Sequence, residues 1–182
     1  MSHFRTLQPS QLNRAEFVAA LGDIYEHSPW VAEQAFERLS PDRRDDIEAV
    51  HACMSQVVAD ADRATLLALI NAHPDLAGKA AVQGELTAAS TQEQAGAGIS
   101  QCTPDEFQRF TWLNDAYRAR FGFPFIMAVK GSDRRQILAA FETRIGHSPE
   151  DEFACALREI DKIALFRLQP LQPHSPPTAP PL

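Results

Sequence analysis

The segment Asn71–Ala80 reads NAHPDLAGKA and follows the apolar run ATLLALI. A residue that precedes proline is pushed out of the α region. The helix predicted over the apolar run therefore stops at His73, with the imidazole at its end rather than along its side. Two readings stay open. A histidine at a helix C-terminus is favoured by the macrodipole whether or not it does chemistry. The same negative helix end favours the imidazolium, which could be charged near neutral pH and donate a proton.

Glu93 lies in TAASTQEQAGAG, where Ser90-x-x-Glu93 fits a capping box. The alanines and glycines around it would also let a ligand approach the backbone. Ser90, Glu93 and Gln94 would then present polar groups beside the free N–H groups of a helix start. Arg167 continues the stripe of Phe153, Leu157, Ile160 and Ala164. It either snorkels from a frayed last turn or points inward to hold a carboxylate or a carbonyl-rich ring. The run FPFIMAV, Phe123–Val129, is a core segment or a ligand wall whose non-helical backbone offers unpaired N–H and C=O groups.

Other chemistries lack their residues. Glu48 and His51 form one Glu-x-x-His pair, where a di-iron bundle needs two. AGKAA lacks the first glycine and the Ser or Thr of a phosphate loop. No Cys-x₂-Cys or His-x₃-His supports zinc, and no GxSxG supports a nucleophile elbow. Any reaction is expected to use acid–base side chains with no metal and no cofactor.

The elements that must position these residues read as helix after helix. Ser10 can cap a helix through Tyr25, Pro29 starts one through Leu39, and Pro41 or Asp42 opens one through Ala61. Asp62 caps the helix before His73. Thr103-Pro104-Asp105-Glu106 is a strong start signal, and Gly122 a stop. Residues 132–146 repeat the scheme, and Ser148 opens the last helix. No strand pairing or βαβ rhythm is present. The fold class expected is all-α, a single compact multi-helix domain over residues 1–168 with one short extended apolar segment. The Pro-rich residues 169–182 are expected to form a flexible tail.

The chain has 182 residues, enough to bury a core without disulfides. Its net charge of −7 argues against a general nucleic-acid binder. Cys53, Cys102 and Cys155 are far apart and odd in number, which suits free thiols in a reducing cytoplasm. The N-terminus shows no apolar signal region, and no run is long enough to span a membrane.

Taken in order, HPDLAGK (73–79), LTAASTQEQAGAG (86–98), FGFPFIMAVKG (121–131), RIGHSPEDE (144–152) and ALREIDKIALFRL (156–168) resemble the 2-oxo-4-hydroxy-4-carboxy-5-ureidoimidazoline (OHCU) decarboxylases. The resemblance runs from about Leu7 to Leu168. It implies an all-α homodimer that converts OHCU to (S)-allantoin, the last step of urate breakdown, without a cofactor. His73 would be the catalytic acid, and Pro74 would contact the ligand. The run Ser90, Thr91, Gln92, Glu93 and Gln94 would bind the ring, with Glu93 also catalytic. Phe125, Ile126, Met127, Ala128 and Val129 would line the site, and Arg167 would complete it. The rival reading from another class is a helical interaction module in which His73 is only a cap. A third is a decarboxylase of a related ureido-imidazoline.

Overall fold

The structure, a computed structural model, describes residues 3, 4, 7–78 and 84–171. Among them lie eight α-helices and no strand. They are α1 (Arg14–Leu21), α2 (Trp30–Arg38), α3 (Ile47–Ala59), α4 (Arg63–Asn71), α5 (Ala88–Gly96), α6 (Pro104–Phe121), α7 (Arg134–Arg144) and α8 (Pro149–Leu168). Single turns of 3₁₀ helix occupy Pro9–Gln11, Pro41–Arg43 and Ile99–Gln101.

Local cap chemistry sets most boundaries. Asp62 accepts from Thr65 N at 2.7 Å and starts α4. Thr103 and Glu106 exchange both bonds of a capping box at the start of α6. Gly122, at φ 77°, ends that helix in the left-handed region glycine tolerates. Ser148 accepts from Asp151 N and opens α8. The first helix differs from the sequence reading. Its cap is Asn13, in a box with Glu16, and it stops at Leu21. Ser10 is drawn off instead by Asp45, which accepts from its N–H at 2.9 Å and from its hydroxyl at 2.7 Å. α3 begins at Ile47 rather than near Pro41, because Asp46 caps it.

The core is built around α8, which packs against α3, α4 and α6. Its inward side buries Phe153, Ala156, Ile160, Ile163 and Ala164. Phe110, Leu113 and Tyr117 of α6 and Ile137 and Phe141 of α7 are fully enclosed. The extended piece expected from the sequence is present. Residues 124–129 carry no helix or strand, and Phe125 stacks on Phe141 with ring centres 3.8 Å apart. This segment is bound by side chains of α7 and α8 rather than by a ladder. The Ile126 carbonyl accepts from Arg144 Nη1 at 2.7 Å, and the Ala128 N–H donates to Glu159 Oε2 at 2.8 Å. The tail expected from 169 onward falls, from 172 to 182, outside the described residues.

Candidate active site

α4 ends where the proline requires. Ala72 is its C-cap, and the His73 N–H reaches the Ile70 carbonyl at 3.2 Å. The ring then folds back over the last turn. Its Nδ1 lies 2.9 Å from the Leu69 carbonyl oxygen, which can only accept, so Nδ1 carries the proton. The Nε2 lone pair is left for the cleft that the ring lines. His73 is 7 % exposed.

Burial changes the charge expected of this ring. Desolvation pushes the His73 pKa down to about 4, although its bond to Leu69 and the nearby Glu26 carboxylate pull the other way. The helix dipole is worth about 1 kcal/mol or less, whereas removing an ion from water costs several. The free site therefore holds a neutral imidazole, with its lone pair ready to accept a proton. Of the two readings the sequence left open, burial favours the ring that is neutral in the free site.

The loop after His73 is fixed from two helices. Ala77 takes a left-handed φ of 52°, and its N–H donates to Gln94 Oε1 at 3.1 Å. Asn114 Nδ2 donates to the Leu76 carbonyl at 2.8 Å. Arg118 pairs with Asp75 at 2.9 Å.

α5 presents Ser90, Glu93 and Gln94, at steps of three and four, to the same cleft. The helix is capped by Thr87, not Ser90. Glu93 therefore lies a full turn inside and closes no capping box. Its carboxylate meets Arg167, with Nε to Oε1 at 2.7 Å and Nη2 to Oε2 at 3.0 Å. Arg167 is buried and points inward from α8. Its Nη1 donates to Glu26 Oε2 at 2.7 Å. Burial by itself would raise the Glu26 pKa, but Arg167 and the Thr87 hydroxyl outweigh it and keep that carboxyl below the usual range.

Together His73, Pro74, Leu76, Ser90, Glu93, Gln94, Phe125, Ile126, Met127, Val129, Ile163 and Arg167 line one cleft. The cleft is small and partly open to solvent. Three expected residues are not brought there. Thr91 and Gln92 are exposed, because they fall on the outer side of α5, where the Thr91 hydroxyl bonds the Thr87 carbonyl. Ala128 is not part of the wall, since its N–H is turned toward Glu159. Leu76 and Ile163 were not singled out in the sequence, although Ile163, four residues before Arg167 on one helix, could have been. Glu26 was missed too, for it sits in a loop with no periodicity to mark it. Among the described residues no three His, Cys, Asp or Glu side chains come together to hold a metal ion.

Comparison with known proteins bears on this arrangement. The sequence model of the family described as OHCU decarboxylase matches residues 10–169. A 2-oxo-4-hydroxy-4-carboxy-5-ureidoimidazoline decarboxylase of Haloferax volcanii is 44 % identical over 91 % of this chain and 95 % of its own. Its namesake in Halalkalicoccus jeotgali is 42 % identical over 89 % of this chain and 88 % of its own. A crystal structure of an (S)-allantoin synthase superposes with a TM-score of 0.70 at 35 % identity, over 88 % of this chain and 51 % of that one.

Proposed function

Since the chain belongs to the OHCU decarboxylase family, we propose that it removes CO₂ from 2-oxo-4-hydroxy-4-carboxy-5-ureidoimidazoline to give (S)-allantoin in urate degradation, without a cofactor. The observation that carries this reading is the convergence of His73, Ser90, Glu93 and Arg167, which come from three helix regions, on one cleft with a neutral base and a bound carboxylate.

The substrate's name puts a hydroxyl and a carboxyl on one ring carbon and a ureido group on the next. When the carbon–carboxyl bond of the carboxylate breaks, CO₂ leaves and the electron pair moves through the ureido-bearing carbon to the ring C=N nitrogen, which takes a proton from solvent. The hydroxyl carbon then becomes a carbonyl, and the ureido-bearing carbon gains a proton. One base can serve both steps. Nε2 of the neutral His73 takes the hydroxyl proton and, as imidazolium, returns it to the neighbouring carbon. Because Nδ1 is tied to Leu69, the ring works from one face, which fits a single enantiomer. Proton transfer of this kind is worth about 10² to 10⁴ in rate.

Glu93 accepts from a ring N–H or from the hydroxyl through lone pairs that Arg167 leaves free. The backbone of Phe125–Val129 supports the flat ring. Met127 and Val129 line the cleft, while the Ala128 N–H between them points away.

The test supplies the unstable substrate in place. Urate, uricase and hydroxyisourate hydrolase are mixed with the purified protein, and circular dichroism follows optically active allantoin. Acceleration and a single sign of ellipticity are expected. A rate and racemic outcome equal to spontaneous decay would remove the reading.

We further propose that the protein acts as a homodimer in the cytoplasm. The exposed Leu67, Phe107 and Trp112 supply apolar surface for a second copy. The unpaired Cys53, Cys102 and Cys155 suit a reducing compartment. Light scattering at micromolar concentration should give twice the chain mass of 20.2 kDa.

A further inference from the structure

Arg167 has five N–H donors, and all are engaged. Nε and one Nη2 hydrogen go to the two oxygens of Glu93. The second Nη2 hydrogen reaches Ser90 Oγ at 3.3 Å. Nη1 serves Glu26 Oε2 at 2.7 Å and the Ile24 carbonyl at 3.4 Å. None is left over for a ligand. The guanidinium is therefore a bracket between two carboxylates, and only one of them, Glu93, reaches the cleft wall.

The other carboxylate sets the bracket. Glu26 is 2 % exposed. Its Oε1 accepts from the Thr87 hydroxyl at 2.7 Å and from the Ser90 hydroxyl at 3.1 Å, while Oε2 takes Arg167. One side chain thus ties the cap of α5, the Ser90 hydroxyl and α8 together. It also fixes which way the Ser90 O–H points, so that Ser90 can offer a ligand only an acceptor lone pair. The loop is shaped to deliver it. His27 sits at φ 47°, a left-handed angle unusual outside glycine, and the Ser28 hydroxyl donates to the Glu26 carbonyl at 2.9 Å. A loop that adopts this turn beside a buried carboxylate is organised around where that carboxylate points.

We propose that Glu26 is a positioning residue of the decarboxylase site, holding Arg167 and the Ser90 hydroxyl so that Glu93 meets the substrate in one geometry. It touches no substrate and acts through Glu93. The proposal rests on the decarboxylase reading above.

The substitution Glu26→Gln keeps size and one acceptor but removes the charge that anchors Nη1. The fold should survive, because Arg167 keeps Glu93 as its counter-ion. The expected result is a kcat at least tenfold lower with KM within about threefold. In the double variant, Glu26→Gln added to Glu93→Gln should cost less than threefold more than Glu93→Gln alone. A merely structural role would lower the melting temperature and leave kcat per folded molecule unchanged, and that result overturns the proposal. Losses that multiply in full in the double variant also overturn it. Should Glu26→Gln not fold, Glu26→Asp decides. It keeps the charge but withdraws it by one methylene, and a several-fold fall in kcat supports positioning, while a kcat within twofold of wild type overturns it. Wild-type turnover is measured first. Its absence removes the decarboxylase reading and the proposal with it, whereas normal wild-type turnover with an indifferent Glu26→Gln overturns the positioning role alone.

Discussion

Arg144 and Arg167 are both buried and both bound to carboxylates, yet their surroundings differ in two respects. Arg144 meets one carboxylate, Glu152, through Nε and Nη2 at 2.9–3.2 Å, and stacks on Phe125 at 4.3 Å. Glu152 is 0 % exposed, and its remaining capacity is taken by the Tyr117 hydroxyl and by His147 Nδ1 at 2.9 Å. Burial would raise the Glu152 pKa, but Arg144 and Tyr117 outweigh it and hold it down. Charge is balanced one to one and sealed. Around Arg167 two carboxylates share one guanidinium, and the Glu93 side chain stays 27 % exposed to the cleft. Uncompensated charge in a half-buried cleft carries a desolvation cost. A chain that leaves an extra carboxylate there, beside a neutral base, has left acceptors for an incoming ligand to fill. The same ion-pair chemistry serves stability where it closes on itself and function where it is left open.

The comparison is broken most severely at the base of the cleft. His73→Asn should lower turnover by about 10² to 10⁴ with the helical circular dichroism unchanged. A variant that retains more than about a tenth of the rate would mean His73 is only a cap. The pH dependence of stability gives a second handle. The folded pKa is depressed to about 4 from the ordinary 6.5, so the contribution is complete above about pH 6.5 and is lost as pH falls toward the folded value. Wild type should therefore lose stability, on the order of 1 kcal/mol per pH unit, as pH falls from 6.5 toward 4 relative to His73→Asn. Urea unfolding of both proteins across that range checks it.

At the sealed pair the effect moves from rate to stability. Glu152→Gln leaves the Arg144 charge buried without its carboxylate, which costs about 3–5 kcal/mol. Thermal and urea unfolding should show that loss, while kcat per folded molecule stays within a few-fold. A stability change under about 1 kcal/mol would show that the pair is solvated in solution and not sealed.

Glu93→Gln should show the reverse. Arg167 keeps Glu26, so the surplus carboxylate is the one removed and stability should stay within about 1 kcal/mol, or roughly 2–4 °C. The amide puts a donor where the ring needs an acceptor, and an unmatched donor in a closed site costs about 1–3 kcal/mol. kcat/KM should fall at least tenfold. Unchanged kinetics would make Glu93 a plain partner of Arg167, and the two networks would then be alike.

What the sequence could reveal follows the range of the forces. Asp62, Thr103 and Ser148 cap the helices their own neighbours predict, since capping is settled within four residues. The order of the site motifs pointed to the residues that meet in the cleft. Two local signals misled. Ser90-x-x-Glu93 has the spacing of a capping box, but Thr87 starts the helix first, and α8 supplies Glu93 with a partner 74 residues away. The dipole at His73 argued for charge, and burial by distant segments reversed it. Glu26 carried no local signal at all, for its meaning is a contact with Arg167 141 residues on.

The smallest effect concerns a second histidine that burial does not win. His51 of α3 lies against α8, with Nε2 3.1 Å from Asp161 Oδ1 and 3.0 Å from the Asp161 carbonyl. The hydrogen bond to the Asp161 side chain raises its pKa against the opposing pull of burial. The sign is therefore opposite to that at His73. The ion-pair stabilisation is complete below about pH 6.5 and is lost as pH rises through the folded value. Asp161 is 42 % exposed at its side chain, so solvent limits the pair to about 0.2–1 kcal/mol. One bond survives deprotonation, because a neutral ring with its proton on Nε2 still donates to the carbonyl. The gap in stability between wild type and His51→Asn should thus be larger at pH 5.5 than at pH 8.5, by less than about 1 kcal/mol, and should not vanish at the higher pH. A gap that grew with pH would give His51 the character of His73, and the contrast between an imidazole held by a carboxylate and one held by a backbone carbonyl would fail.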